Sequence, residues 1–99
     1  MDTKDIRYFC RVYEERGINQ AAKQLFISPQ GLSRIIAKLE AELQVTLFKR
    51  SARGLYPTAS GVYLYENCRE LLNRLEDIEI AIRRIDRMDK ELQLGFSCG

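Results

Sequence analysis

SPQGLSRIIAKLE, residues 28–40, reads as a helix with two unlike faces. Leu32, Ile35, Ile36 and Leu39 recur at the spacing of one helical face, and Leu43 extends the stripe. Gln30, Ser33, Arg34 and Lys38 stand on the other face. An apolar stripe is enough to dock a helix on its own domain. Small hydrogen-bonding side chains in the opposite first turns serve something outside it. Ser28 supplies an N-cap oxygen, and Pro29 fits the first helical position, where its missing N–H is not needed. The spacing therefore predicts a helix over 29–43. Gly31 is a flaw of roughly 0.5–1 kcal/mol against Ala. A close approach by another surface and loose packing both account for it.

Upstream, Ile6, Phe9, Cys10 and Tyr13 predict a helix over 3–16, with Thr3 as its cap, Asp5 near its positive end and Gly17 as a left-handed terminator. A short helix is expected over 19–26, with Asn19 as N-cap and Ala21, Ala22, Leu25 and Phe26 facing inward. The turn at Phe26–Ser28 then joins it tightly to the next helix. Downstream, QVTLFKRSARGLYP at 44–57 breaks the helical pattern. Val45, Leu47 and Phe48 are core candidates. The rest reads as two short strands around a tip at Ser51–Gly54, a wing crowded by Lys49, Arg50 and Arg53.

Residues 58–90 read as one long helix, with Thr58 as its cap. Leu64, Cys68, Leu71, Leu75, Ile78, Ile82 and Ile85 alternate in steps of four and three, the a/d seam of a heptad repeat. Such a helix spans roughly 50 Å, too long to lie fully on so small a domain. Leu72, Ile80 and Ala81 widen the stripe. Self-association is the simplest inference, and packing on its own domain is the alternative. ELQLGFSCG at 91–99 alternates apolar with polar or small residues, which reads as a strand opening a further domain.

Composition narrows the function. The chain has 99 residues and 30% charged side chains, which suits one small globular domain with an appended element. It shows neither a run of eighteen apolar residues nor a signal-peptide pattern, so a cytoplasmic protein with no membrane partner is expected. Cys10, Cys68 and Cys98 form no C-x-x-C pair, and neither a disulfide framework nor a zinc site is expected. Cys10 and Cys68 fall on apolar faces and read as core. There is no histidine, no Gly-rich phosphate loop and no nucleophile elbow. The adjacent acids Glu14 and Glu15 read as solvated surface, so no enzyme activity and no cofactor are expected. The net charge is only +2, but its distribution is uneven. Residues 1–57 carry ten Lys/Arg against six Asp/Glu, whereas residues 58–99 carry six against eight. A polyanion would meet the first half.

Three short helices and a basic wing make a mainly α chain. Residues 1–57 form a winged helix-turn-helix, residues 58–90 a long linker or dimerisation helix, and residues 91–99 the start of another domain. In such motifs the second helix of the pair enters the major groove of DNA. Gln pairs with adenine, Arg with guanine, and Ser with either class of edge. Pro29 offers an apolar surface to a thymine methyl, and Arg53 at the wing tip suits a narrow minor groove. A protein-interaction module worked by helix 58–90 is the competing reading.

The stretch from Asp5 to Gly61 also resembles the N-terminal part of LysR-type transcriptional regulators. The resemblance rests on AA at 21–22, S-x-x-x-LS-x-x-I at 28–36, LE at 39–40, L-x-x-x-LF-x-R at 43–50 and T-x-x-G at 58–61. It implies a bacterial transcription factor about three times this length, dimerised through antiparallel linker helices and, as often in the family, assembled further to a tetramer. It implies an interrupted palindromic operator in double-stranded DNA, and a small-molecule inducer held by a domain beyond this chain. By position, it places Asn19 and Gln20 on the phosphate backbone. Ser28, Pro29, Gln30, Ser33 and Arg34 fall at the recognition-helix contacts, Lys38 and Lys49 beside phosphates, and Arg53 in the minor groove; Arg50 is a further DNA-binding candidate, with a structural role as the alternative. Many members read Ser-Gln-Pro-Ala where this chain reads Ser-Pro-Gln-Gly. The glutamine is thus moved by one place, about 100° around the helix, and its base partner does not carry over.

Overall fold

The computed structural model describes residues 1–95, with side chains described to residue 90. Four helices and one hairpin follow in chain order: α1 (Thr3–Glu15), α2 (Ile18–Leu25), α3 (Pro29–Leu43), β1 (Phe48–Ser51), β2 (Gly54–Pro57) and α4 (Ala59–Gly95). Phe9, Val12, Leu32, Leu39 and Leu47 are the largest fully buried side chains, so α1, α3 and the approach to the wing share one core. The strands pair antiparallel, Lys49 with Tyr56 and Arg50 with Leu55. Gly54 at the tip adopts φ 114, a region in which glycine has no Cβ to clash.

The helix ends show where local chemistry departs from the expected pattern. Ser28 caps α3 as predicted, accepting from the Gly31 N–H at 3.0 Å. A Cβ on Gly31 would stand 3.1 Å from that same hydroxyl oxygen, so the tight neighbour is the helix's own cap. At α1 the cap is Asp2, one residue before Thr3, accepting from the Lys4 N–H at 3.0 Å. The left-handed terminator is Arg16 (φ 57), while Gly17 is extended and opens α2. Asn19 therefore sits inside α2 and does not cap it. Phe26 does not face inward: it takes the left-handed step that ends α2 and is 94% exposed. Its N–H closes the helix onto Ala22 and Lys23 carbonyls, and the reversal throws the ring outward. Val45 likewise stays 38% exposed while Leu47 and Phe48 are buried.

Two polar devices join the wing to its neighbours. Glu40 on α3 accepts from the Leu47 N–H at 2.7 Å and the Phe48 N–H at 3.4 Å, which fixes the chain where it enters β1. Thr58 caps α4, accepting from the Gly61 N–H at 3.1 Å, and donates its hydroxyl to the Thr46 carbonyl at 2.6 Å.

Helix α4 continues to Gly95, so residues 91–95 are helical and not the expected strand; residues 96–99 lie outside the described residues. Its first turns belong to the domain core. Cys68 is buried, and Leu64, Tyr65 and Leu72 pack on the same cluster. Cys68 is thus not a seam residue: it faces α1, where the other buried thiol, Cys10, lies. Farther along, Leu71, Ile78, Ile82 and Ile85 are 48–64% exposed. Glu14 is not free surface either. It accepts from the Tyr65 hydroxyl at 2.7 Å and from the Arg69 guanidinium, clamping α1 to α4.

Burial, with the nearby Cys68 and Glu14, pushes the Cys10 thiol up to about 11. Burial also raises the Cys68 thiol, and burial with the Glu14 hydrogen bond raises the Tyr65 phenol. The folded chain keeps these protons at pH values where the unfolded chain releases them. Stability from these groups is therefore full below about pH 9 and falls as pH rises toward 11. Urea midpoints should drop between pH 8.5 and 10.5, and Cys10→Ala should flatten the drop. An equal drop in both proteins would place the sensitivity elsewhere.

Candidate nucleic-acid interface

The exposed face of α3, the start of α2 and the wing enclose an open groove of about 600 Å³. Pro29, Gln30, Ser33 and Arg34 line it from α3, Asn19 from α2, and Arg50, Ser51, Gly54 and Leu55 from the wing. The fold thus brings the first turns of α3 together with Asn19 and Arg50. The Leu32–Ile36–Leu39 stripe is buried, which turns Gln30, Ser33 and Arg34 outward. Despite its displaced position in the sequence, Gln30 faces the groove.

The remaining candidates fall around this centre. Arg53 is exposed on the tip, where its N–H donates to the Ser51 Oγ at 3.2 Å and the same hydroxyl donates to the Gly54 carbonyl. Lys49 is exposed on β1, and Gln20 and Ser28 are exposed just outside the groove lining. Lys38 is differently placed. It pairs with Asp5 at 3.3 Å, and Asp5 is buried. That carboxylate, through its hydrogen bond first and its charge second, raises the Lys38 ammonium. The pair ties α3 to the first turn of α1, outside the groove lining.

The electrostatics of the groove are one-sided. Arg16, Arg34 and Arg50 line it and no carboxylate does. Among the described residues, no Asp or Glu forms an ion pair with these three, with Lys49 or with Arg53. The cations elsewhere on the domain are mostly committed: Arg7 to Glu76, Arg11 and Arg69 to Glu14, Lys38 to Asp5. A concave, polar surface with unpaired guanidinium groups suits a polyanion, and fork-shaped donors suit phosphate and guanine edges. Arg16 was not legible as a groove residue, because its place depends on the left-handed step after α1. Ser51 and Leu55 were hidden by the strand register.

Known proteins share this architecture. The family model described as "Bacterial regulatory helix-turn-helix protein, lysR family" matches residues 3–62, from α1 into the first turn of α4. The HTH-type transcriptional regulator BenM of Acinetobacter baylyi is 33% identical over 97% of this chain and 32% of its own length. The HTH-type transcriptional regulator ClcR of Pseudomonas putida is 39% identical over 97% of this chain and 33% of its own. The crystal structure of the BenM DNA-binding domain with catB site 1 DNA superposes with a TM-score of 0.84 at 34% identity, covering 87% of this chain and 96% of that one. The chain spans about a third of the length of these curated relatives.

Proposed function

The chain belongs to the lysR family of bacterial regulatory helix-turn-helix proteins, and from that premise we propose that it is the operator-reading part of a transcription factor working in the cytoplasm. It binds double-stranded DNA sequence-specifically, with α3 in the major groove and Arg53 in the adjacent minor groove. The observation that supports this reading is the groove beside α3, lined by three arginines and no carboxylate. Gln30, Ser33 and Arg34 supply donors and acceptors for base edges, and Asn19, Gln20, Lys49 and Arg50 meet phosphates. The relatives named above are transcriptional regulators, and one is solved on its DNA site.

The proposal includes a homodimer on an interrupted palindrome, paired through the exposed stretch of α4 at Leu71, Leu75, Ile78, Ile82 and Ile85. Leu71, Ile78, Ile82 and Ile85 are 48–64% exposed at heptad spacing, which is the pattern that a second helix covers. A small-molecule inducer would be held by chain beyond these residues.

The test is binding to the duplex upstream of the chain's own gene against a scrambled duplex, across several salt concentrations. Preference for the first duplex is expected. Gln30→Ala and Arg53→Ala should each weaken it by about 1–3 kcal/mol if the contact reads a base. Both variants binding like the parent would sink the site assignment. Equal binding to both duplexes would favour the interaction-module reading, for which the exposed seam speaks.

A further inference from the structure

We propose that Arg16 is a further DNA-contact residue, its guanidinium meeting a backbone phosphate at the edge of the groove, and that Tyr13 stacked on Tyr65 of α4 positions it; this rests on the duplex-binding reading above.

Arg16 lies between α1 and α2 and is among the residues that line the groove, with Asn19, Gln30 and Arg34. It is exposed, and among the described residues no carboxylate pairs with it. The nearest acid in the clamp, Glu14, is already taken by Arg11, Arg69 and the Tyr65 hydroxyl. A guanidinium without a carboxylate partner, at the edge of a polar groove, is the donor set that captures a phosphate.

The backbone at Arg16 makes the side chain removable without disturbing the fold. Arg16 holds φ 57, a conformation that glycine adopts without strain and a branched-off Cβ resists. Phe26 and Gln44 take the same left-handed step at the ends of α2 and α3, and at such a helix end glycine replaces the side chain without backbone cost. The orientation of the Arg16 side chain is also set. The guanidinium carbon stands over the Tyr13 ring, 5.0 Å from the centroid. Tyr13 in turn stacks on Tyr65 at 3.8 Å with the rings 4° from parallel. Tyr65 is fixed from its own helix by Arg69, which donates to the phenol oxygen at 2.7 Å. The stack runs from the long helix to the groove edge, so Tyr65 acts on DNA only through Arg16.

Arg16→Gly separates folding from binding, because it removes the side chain while relieving the backbone. Fluorescence anisotropy with a labelled duplex of arbitrary sequence is sufficient, since phosphate contacts ignore sequence. Relative to the parent, Arg16→Gly should melt no lower and bind on the order of eightfold more weakly at 0.1 M salt. Its slope of log affinity against log salt should be shallower by about 0.9, the share of one phosphate. Tyr65→Leu should weaken the parent but not Arg16→Gly. Arg16→Gly binding with the parent's affinity and slope overturns the contact. Equal weakening by Tyr65→Leu in both backgrounds overturns the positioning role. A parent that binds no duplex overturns the duplex-binding reading itself, and this proposal with it.

Discussion

Gly61→Ala should lower the stability of the chain by about 3 kcal/mol, at the upper end of the usual cost of overpacking. For a domain of this size that is a fall in melting temperature of roughly 12–24 °C. The sign is not obvious from helix propensity, because Ala is better than Gly in a helix interior by about 1 kcal/mol. Gly61 sits in the first turn of α4, buried against the segment that enters the wing. A Cβ there would press on the Leu47 carbonyl oxygen closer than real Cβ atoms approach, and would lie 3.3 Å from both the carbonyl carbon and the Pro57 ring. The obstacle is backbone, and the same carbonyl accepts from the Thr58 N–H at 3.0 Å, so it cannot swing away without loss. Steric cost therefore exceeds propensity. A melting temperature equal to or above the parent's would show that α4 can shift on the wing, and the close-approach explanation of T-x-x-G would fail.

Glu40→Ala should cost about 3 kcal/mol, the upper end for hydrogen bonds to a charged group. The carboxylate serves two N–H groups of residues that are 1% and 8% exposed, Leu47 and Phe48, and truncation leaves both without that acceptor. Glu40→Gln keeps an acceptor oxygen and should lose only about 1 kcal/mol, the net worth of an ordinary hydrogen bond. Urea denaturation of the three proteins checks this order. Since the wing is placed relative to α3 by this side chain, Glu40→Ala should also weaken duplex binding at temperatures where it remains folded. Equal stability of the Ala and Gln variants would mean that the acceptor is replaceable by water.

The recognition helix was legible from the sequence because three signals agree there: the apolar period, the Ser28 cap and Pro29 at the first position. The wing was legible because its strands flank a basic, glycine-closed tip. Arg16 and Phe26 were not, since each takes a left-handed step that composition assigns to glycine. Periodicity carried the reading one residue too far at Phe26, where reversal of the chain overrides the stripe. Residues 91–95 misled in the opposite sense. Leu92 and Leu94 alternate like a strand, yet Glu, Leu and Gln all propagate a helix well, and α4 is already under way. The heptad spacing located an apolar seam but not its partner. Cys68 went to the chain's own core, while Ile78, Ile82 and Ile85 stayed outside it. In the groove, Gln30, Ser33 and Arg34 followed from which face is apolar. Lys38 did not, because its partner Asp5 lies 33 residues away.

The anchoring of α4 has a mechanical meaning. Its opening turns are cemented into the winged domain by Gly61, Cys68 and Leu72. Beyond the Arg7–Glu76 ion pair the helix runs on without a break to Gly95, an arm of roughly 28 Å at 1.5 Å per residue. A rigid arm fixed at one end works as a lever. A tilt of about 10° at its root moves its far end by about 5 Å over that length. Conversely, a modest displacement imposed at the far end re-aims α3 as one body with the wing. In the homodimer proposed above, the spacing between the two α3 helices is therefore an angular quantity, adjustable from a distance without disturbing any residue in the groove.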